Sequence, residues 1–356
     1  MTLRYGLVGT GMMGVEHIKN VRAAVDAEIV AIADPVAGSL EWAKSALGSE
    51  PTIYADSAEL AKAGLDAVIV ASPNYTHRSV LEPLFDAGLN ILCEKPVATT
   101  IEDARWIVER VAQSPGIFWT AMEYRYMPPA AAFIQQVHGG RIGKLQMLSI
   151  REHRFPFLPK VGDWNRFSAN TGGTMVEKCC HFFDLMRLIT KSEAVRVYCS
   201  GAMDVNHLDE RYDGRTPDII DNSYTTVDFA NGTRAMLDLS MFADGAEQQE
   251  EIAAVGSEAR LECLIPAGDL VFSPRTGFMR PKTPERTHIP VDDVALKSGS
   301  HHGSTFYEHQ KFYSALVGNG PVDVTAHDGL MAVAIGTAAE ISAREHRVVT
   351  MDEFGF

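Results

Sequence analysis

The sequence predicts an α/β protein in two parts: a doubly wound parallel sheet, then an α+β domain with an open, mostly antiparallel sheet. Three observations predict it. The 356 residues exceed one ordinary domain. Over the first third, short apolar runs alternate with stretches of helical period, the mark of βαβ units and a parallel sheet covered on both faces. After about residue 140 the period shortens to two and tight turns join the runs.

Each element follows in order. "RYGLVG" reads as a short buried strand, "GVEHIKNVRAAV" as a helix, "AEIVAIAD" as a strand and "SLEWAKSAL" as a helix. "SAELAKAG" leads into the strand "LDAVIVAS"; "HRSVLEPLFDAG" is a helix and "LNILCEK" a strand. "TIEDARWIVERVAQS" is a helix starting after Thr99 or Thr100, and "GIFWTAM" a strand. This gives a first domain over 1–125 and a second over 126–356, whose last helix, "DGLMAVAIGTAAEISARE", is apolar enough to be buried against the first. In the second domain "KLQMLSIREHR", "AVRVYCSGA", "SYTTVDFANGTRAMLDLSM" and "EEIAAVGSEARLECL" read as strands, with Asn231-Gly232 a hairpin turn. The run from Pro266 to Pro284 reads as a mobile surface loop.

Composition narrows the function classes. A net charge of −14 argues against a nucleic-acid surface. No apolar run approaches the ~18 residues of a membrane span, and the N-terminus enters a strand with no signal-peptide pattern. The five scattered cysteines fit reduced thiols in a cytoplasm.

"GTGMMG" sets glycines at 9, 11 and 14 between a strand and a helix, a dinucleotide-binding fingerprint in that context. Gly9 permits the tight turn, Gly11 lets backbone approach a pyrophosphate, and Gly14 lets helix and strand pack closely. The helix start at Met12 and Met13 supplies free N–H groups and a positive dipole end. Asp34, closing the second strand, suits a ribose hydroxyl and would repel a 2′-phosphate. The expected cofactor is therefore NAD, with NADP less favoured. The alternative for Asp34, a turn-opening residue before Pro35, is compatible with this role.

"CEKPV" closes the next strand at the sheet's carboxyl edge, where ligands bind in doubly wound folds, and points Lys95 at the cleft. With "GTGMMG", "ASPNYTHRSV", "EKPVATT", "TGGTMVEKCCHFFD" and the tail, the chain resembles the Gfo/Idh/MocA oxidoreductases along essentially its whole length. That family, which includes glucose–fructose oxidoreductase and inositol dehydrogenase, joins a Rossmann domain to a C-terminal α/β domain. It oxidises one hydroxyl of a sugar, sugar derivative or cyclitol with a nicotinamide. The resemblance implies that Lys95 is the active-site lysine and that Glu94 sits near the cofactor ribose. It implies that Ser72, Asn74 and His77 line the cofactor, and that Trp164 of "DW" approaches it. It also implies a homodimer or homotetramer.

In "GGTMVEKCCHFFD" the resemblance places an acid and a histidine four residues apart after Gly172-Gly173; here they are Glu177 and His181, on one helical face. His181 is the candidate general base. Glu177 stands where relatives carry Asp, and either orients His181 or grips a substrate hydroxyl. Metal binding has no second ligand pair beside Cys179-Cys180, and those cysteines read as buried structural thiols rather than a redox pair or nucleophile. Lys178 reads as solvent-reaching or ion-paired. In "REHRF" period two puts Arg151 and His153 on one strand face and Glu152 and Arg154 on the other. His153, Arg154, Asn165, Arg166, Tyr124 and Arg125 are substrate-pocket candidates; cross-strand ion pairing is the competing role for the charged pair members. "HHGS" reads as a loop, and His309 beyond it as within reach of a sugar. The expected activity is an NAD-dependent dehydrogenase of a small sugar or cyclitol. The alternatives are an NAD-dependent oxidoreductive glycosidase and a non-catalytic nicotinamide sensor.

Overall fold

The computed structural model describes residues 2–356, which form two compact units. The first runs to Tyr126 and takes in Asp292–Val333; the second holds Met127–Val291 and Ala334–Phe356. The return to the first unit thus lies mostly upstream of the last helix, of which only residues 326–333 belong to that unit.

The first unit opens β1 (Leu3–Val8), α1 (Met12–Ala24), β2 (Ala27–Ala33), α2 (Ala37–Leu47), β3 (Thr52–Tyr54), α3 (Ser57–Leu60) and β4 (Ala67–Val70). It continues α4 (His77–Asp86), β5 (Asn90–Glu94), α5 (Ile101–Gln113) and β6 (Phe118–Ala121). The strands lie in the order β3-β2-β1-β4-β5-β6, all parallel. The order reverses between β1 and β4, which opens a crevice at the carboxyl ends of those strands. Central β4, "AVIV", is buried at all four positions, as a strand covered on both faces requires. Each such Val or Ile contributes about 1.5–3 kcal/mol on burial. The Thr100 hydroxyl caps α5 by accepting the Asp103 amide at 3.1 Å, and Glu102 and Asp103 meet the positive end of the helix.

The second unit begins with α6 (Pro128–His138), β7 (Leu145–His153), α7 (Ser168–Thr171), α8 (Thr174–Glu177) and α9 (Cys180–Thr190). Strands follow: β8 (Ala194–Ala202), β9 (Asn222–Phe229), β10 (Arg234–Ser240), β11 (Glu250–Gly256), β12 (Ala259–Ile265), β13 (Asp269–Pro274) and β14 (Glu285–His288). After α10 (Asp293–Ser298) and α11 (Ser304–Leu316), α12 (Ala326–Glu345) gives its start to the first unit and its remainder to the second, where β15 (Val349–Thr350) closes the sheet. The sheet order is β14-β13-β12-β11-β7-β10-β9-β8-β15, antiparallel except where β7 meets β10. Asn231-Gly232 turns the β9–β10 hairpin, the Gly232 amide donating to the Phe229 carbonyl at 2.9 Å. The Pro266–Pro284 run is not one loop. Gly268 (φ +74°) turns the chain so that β13 pairs with both β12 and β14, and irregular backbone remains only over 275–284.

Candidate active site

Gly9 lies at φ +90°, and a Cβ there would come within 2.4 Å of the Ser72 backbone nitrogen. A Cβ on Gly14 would lie 2.3 Å from the Gly9 carbonyl oxygen, so α1 packs this close to the turn only without one. Gly11 is different: a Cβ there meets nothing within 4 Å. The backbone is open to a ligand at that point, and α1 starts there with no side-chain cap on its first N–H groups, those of Met12 and Met13 among them. Asp34 Oδ2 accepts from the Thr10 amide (2.8 Å) and hydroxyl (3.0 Å), and Oδ1 from the Val36 amide (2.8 Å). The carboxylate braces the glycine loop and stays half-buried, with lone pairs left for a ribose hydroxyl.

After β4, the Thr76 hydroxyl donates to the Ser72 hydroxyl oxygen at 2.8 Å. Asn74 is buried, and its Nδ2 finds no hydrogen-bond partner among the described residues, a donor suited to a cofactor. His77 is fully buried between the carbonyl oxygens of Ser72 (3.1 Å) and Val97 (3.3 Å), and burial holds its ring below the usual histidine range. It therefore joins two loops from beneath rather than facing outward. These groups fit a dinucleotide.

At the end of β5, buried Glu94 is followed by half-buried Lys95. Glu94 Oε2 accepts the Lys95 amide at 3.0 Å, and Oε1 lies 2.9 Å from His17 Nε2. Burial alone would raise the Glu94 carboxyl; His17, through its hydrogen bond and its electrostatic interaction, and then the Lys95 charge hold it below the ordinary range instead. Tyr124 is buried. Arg125 donates to the Asp323 carbonyl at 3.0 Å and lies 3.6 Å from Asp328, fastening the start of α12 within the first unit. His309 corrects the sequence expectation: it is fully buried, its Nε2 2.9 Å from His17 Nδ1, and is not exposed for a sugar to reach.

In the second unit Gly172 and Gly173, at φ +82° and +89°, turn the chain into α8. Glu340 of α12 accepts the Met175 amide at 2.9 Å, supplying the cap that α8 lacks locally. The expected single helix is split: the Cys179 amide donates to the Thr174 carbonyl, five residues back, a π-type turn between α8 and α9. Glu177 and His181 flank this wide turn, and both are buried. Lys178, inside it, is ion-paired: its Nζ lies 2.9 Å from Glu152 Oε1, with Arg154 Nη1 at 3.7 Å from the same oxygen. Glu250 stands directly across from Glu152 on β11, and burial followed by that neighbouring charge pushes its carboxyl to about 7. Burial likewise pushes the Cys179 thiol well up, so no thiolate nucleophile forms there.

His153 falls on the other face of β7, 3.2 Å from Asp238, beside an Arg151–Glu251 pair. Period two therefore sets it apart from Arg154 and from Glu152, the partner of Lys178. Arg166 is buried, 2.9 Å from Glu210, and the neighbouring Asn165 donates to the Leu158 carbonyl at 3.1 Å. Trp164 follows a tight bend at Gly162 and Asp163 and lies near Lys160, whose Nζ is 5.6 Å from the ring centroid. The sequence reading missed His17, Glu123 and Glu308. The one signal for His17 was its place on the apolar stripe of α1, with Ile18 and Val21.

Burial pushes the Glu340 carboxyl from 4.5 to about 7. The folded chain then binds this proton more tightly than the unfolded chain. Its contribution to stability is full at low pH and is lost as pH rises through about 7. Chemical denaturation should show about 2 kcal/mol of stability lost between roughly pH 5 and pH 8 in excess of Glu340→Gln, whose amide accepts the same N–H without ionising.

Two family profiles match the chain: the oxidoreductase family's NAD-binding Rossmann fold over residues 3–122, and its C-terminal alpha/beta domain over residues 134–351. The chain belongs to the Gfo/Idh/MocA oxidoreductase family. This family member is 28% identical over 352 residues to an inositol 2-dehydrogenase of Rhizobium meliloti, covering 99% of this chain and 100% of the relative. It is 27% identical over 360 residues to a myo-inositol 2-dehydrogenase of Thermotoga maritima, covering 99% of each. A solved levoglucosan dehydrogenase, in complex with NADH and levoglucosan, shares the fold at a TM-score of 0.86 and 19% identity, covering 99% of this chain and 100% of that one. The first unit of this oxidoreductase is thus an NAD-binding Rossmann domain. Among the described residues no helix is long and apolar enough to cross a membrane.

Proposed function

We propose that the chain is an NAD-dependent dehydrogenase that oxidises one hydroxyl of a neutral cyclitol or sugar, with Lys95 and His181 at the reacting oxygen. The observation that carries this reading is Lys95 at the carboxyl end of β5, its amide fixed by Glu94. The full-length similarity to inositol 2-dehydrogenases supports the substrate class. Bound NAD supplies the hydride acceptor. His181 takes the hydroxyl proton, and Lys95 stabilises the alkoxide character that develops on the oxygen. Glu177 orients His181 or grips a neighbouring hydroxyl. Gly9, Gly11, Gly14, Ser72, Asn74 and Glu94 serve the dinucleotide, with Trp164 approaching it. Asp34 favours NAD over NADP because a 2′-phosphate would meet its charge.

A neutral substrate is favoured over an anionic one because the similarity to inositol 2-dehydrogenases points to one and because Lys178 is already paired with Glu152 at 2.9 Å. A desolvated cation with a built-in carboxylate partner has little charge left for a second one. Asn165, Arg166, Tyr124 and Arg125 then shape the pocket walls. We further read the protein as a cytoplasmic homodimer or homotetramer joined through the open face of the second sheet. That face exposes Met147, Tyr198, Tyr224, Met236 and Val255, an apolar set that a second copy would cover.

The test is reduction of NAD by the purified protein with inositols, pyranoses and sugar acids. The expected result is NADH formed with a neutral polyol and not with sugar acids. Tight NAD binding without NADH formation on any compound would instead favour a redox-neutral glycosidase or a sensor.

A further inference from the structure

A buried chain of hydrogen bonds inside the first unit ends at the backbone of Lys95. His309 Nε2, on α11, lies 2.9 Å from His17 Nδ1, on α1. His17 Nε2 lies 2.9 Å from Glu94 Oε1, and Glu94 Oε2 accepts the Lys95 amide at 3.0 Å. Both rings are fully buried and meet edge to face. The far atom of the chain, His309 Nδ1, has no hydrogen-bond partner among the described residues.

That far atom decides where the protons sit. A neutral imidazole carries one N–H and one lone pair. With Glu94 ionised, His17 donates from Nε2, its Nδ1 accepts from His309 Nε2–H, and His309 Nδ1 is left as a lone pair. With Glu94 protonated, or with His17 an imidazolium, His309 Nε2 must accept. His309 Nδ1 then becomes a buried N–H with nothing to receive it. Orphaned buried N–H groups are rarer than under-satisfied acceptors, so the first arrangement wins.

The surrounding groups agree. Glu123 is pushed to about 7 by burial and then by the Glu94 charge. Glu308, which accepts the Trp119 indole N–H at 3.3 Å, is raised well above the usual range by burial and by Glu123 and Glu94. Burial keeps His77 neutral and Cys93 a thiol. The charges facing the cluster are Glu16, which acts on His17 and pairs with His301 at 2.8 Å, and Lys95, His301 and Arg125, the last two acting on Glu123 and Glu308 respectively. Of Glu16, Glu94, Glu123 and Glu308, all buried, the two with a histidine partner, Glu16 and Glu94, keep their charge.

We propose that His17 and His309 are positioning residues that aim every N–H of the chain at Glu94, keeping it a carboxylate that fixes the Lys95 backbone and sets a negative charge beside its ammonium. The catalytic consequence rests on the role proposed above for Lys95; the proton arrangement does not.

Nitrogen-15 NMR of the histidine rings in the full-length protein tests the arrangement directly. The expected result is two neutral rings, each protonated at Nε2 and not at Nδ1. A proton on Nδ1 of either ring overturns the proposal. The pH profile of kcat/KM tests the consequence. In His17→Leu, which has no donor, the acid limb should move up by about one to two pH units, the equivalent of one charge-assisted hydrogen bond. In His17→Gln, whose amide can donate, most of that shift should be recovered. An acid limb that stays in place in His17→Leu overturns the positioning role. Absence of turnover in the unmodified protein would sink the reading of Lys95, while the NMR result would still decide the proton arrangement.

Discussion

Replacing Lys95 by methionine should lower kcat by ~10³-fold or more while NAD affinity changes only a few-fold. Methionine keeps most of the apolar stem and removes only the ammonium. The backbone amide that Glu94 holds at 3.0 Å is untouched, so the loop after β5 keeps its course. The glycine turn, Asp34 and Asn74, which fit the dinucleotide, lie on other segments and keep their geometry. Calorimetric titration of NAD beside steady-state turnover separates the two effects. Full activity in Lys95→Met would remove this residue from the reaction.

The second large effect is on stability. Gly173→Ala should cost about 3 kcal/mol or more and disturb turnover in whatever fraction still folds. Gly173 sits at φ +89°, and its added Cβ would fall 2.2 Å from Glu340 Oε1. Glu340 would have to withdraw, leaving the Met175 amide at the start of α8 without its acceptor. Glu177 and His181 follow within two turns, so the displacement reaches the proposed base. The double variant Gly173→Ala/Glu340→Ala should recover the steric part and leave the backbone strain. Denaturation midpoints of the wild type, both single variants and the double variant measure this coupling.

Much of the first unit was legible because its signals are local. The glycine spacing, the apolar "AVIV" strand and the Thr100 cap each depend on residues a few positions apart, and the structure has all three. The Asn231-Gly232 hairpin was readable for the same reason. What escaped depends on distant partners. His17 and His309 are 292 positions apart, and neither segment announces the other. The break between α8 and α9 sits where Lys178 turns toward Glu152 on β7, so helical spacing alone predicted one continuous helix. His153 and Arg154 were equal candidates by alternation until the cross-strand partner Asp238 fixed which face is which. The Pro266–Pro284 run looked like a loop because Gly and Pro punctuate it, yet Leu270 is buried where β13 pairs with its two neighbours. The glycine loop is legible from local spacing, whereas the histidine chain behind Glu94 is a product of packing.

The most direct test of the account is oxidation of a cyclitol deuterated at its ring carbons, with NAD and the purified protein. Reduced nicotinamide should accumulate and carry one deuterium per turnover, with loss of both signals in Lys95→Met. Tight NAD binding with no deuterium on the nicotinamide, or equal label transfer by Lys95→Met, would contradict it.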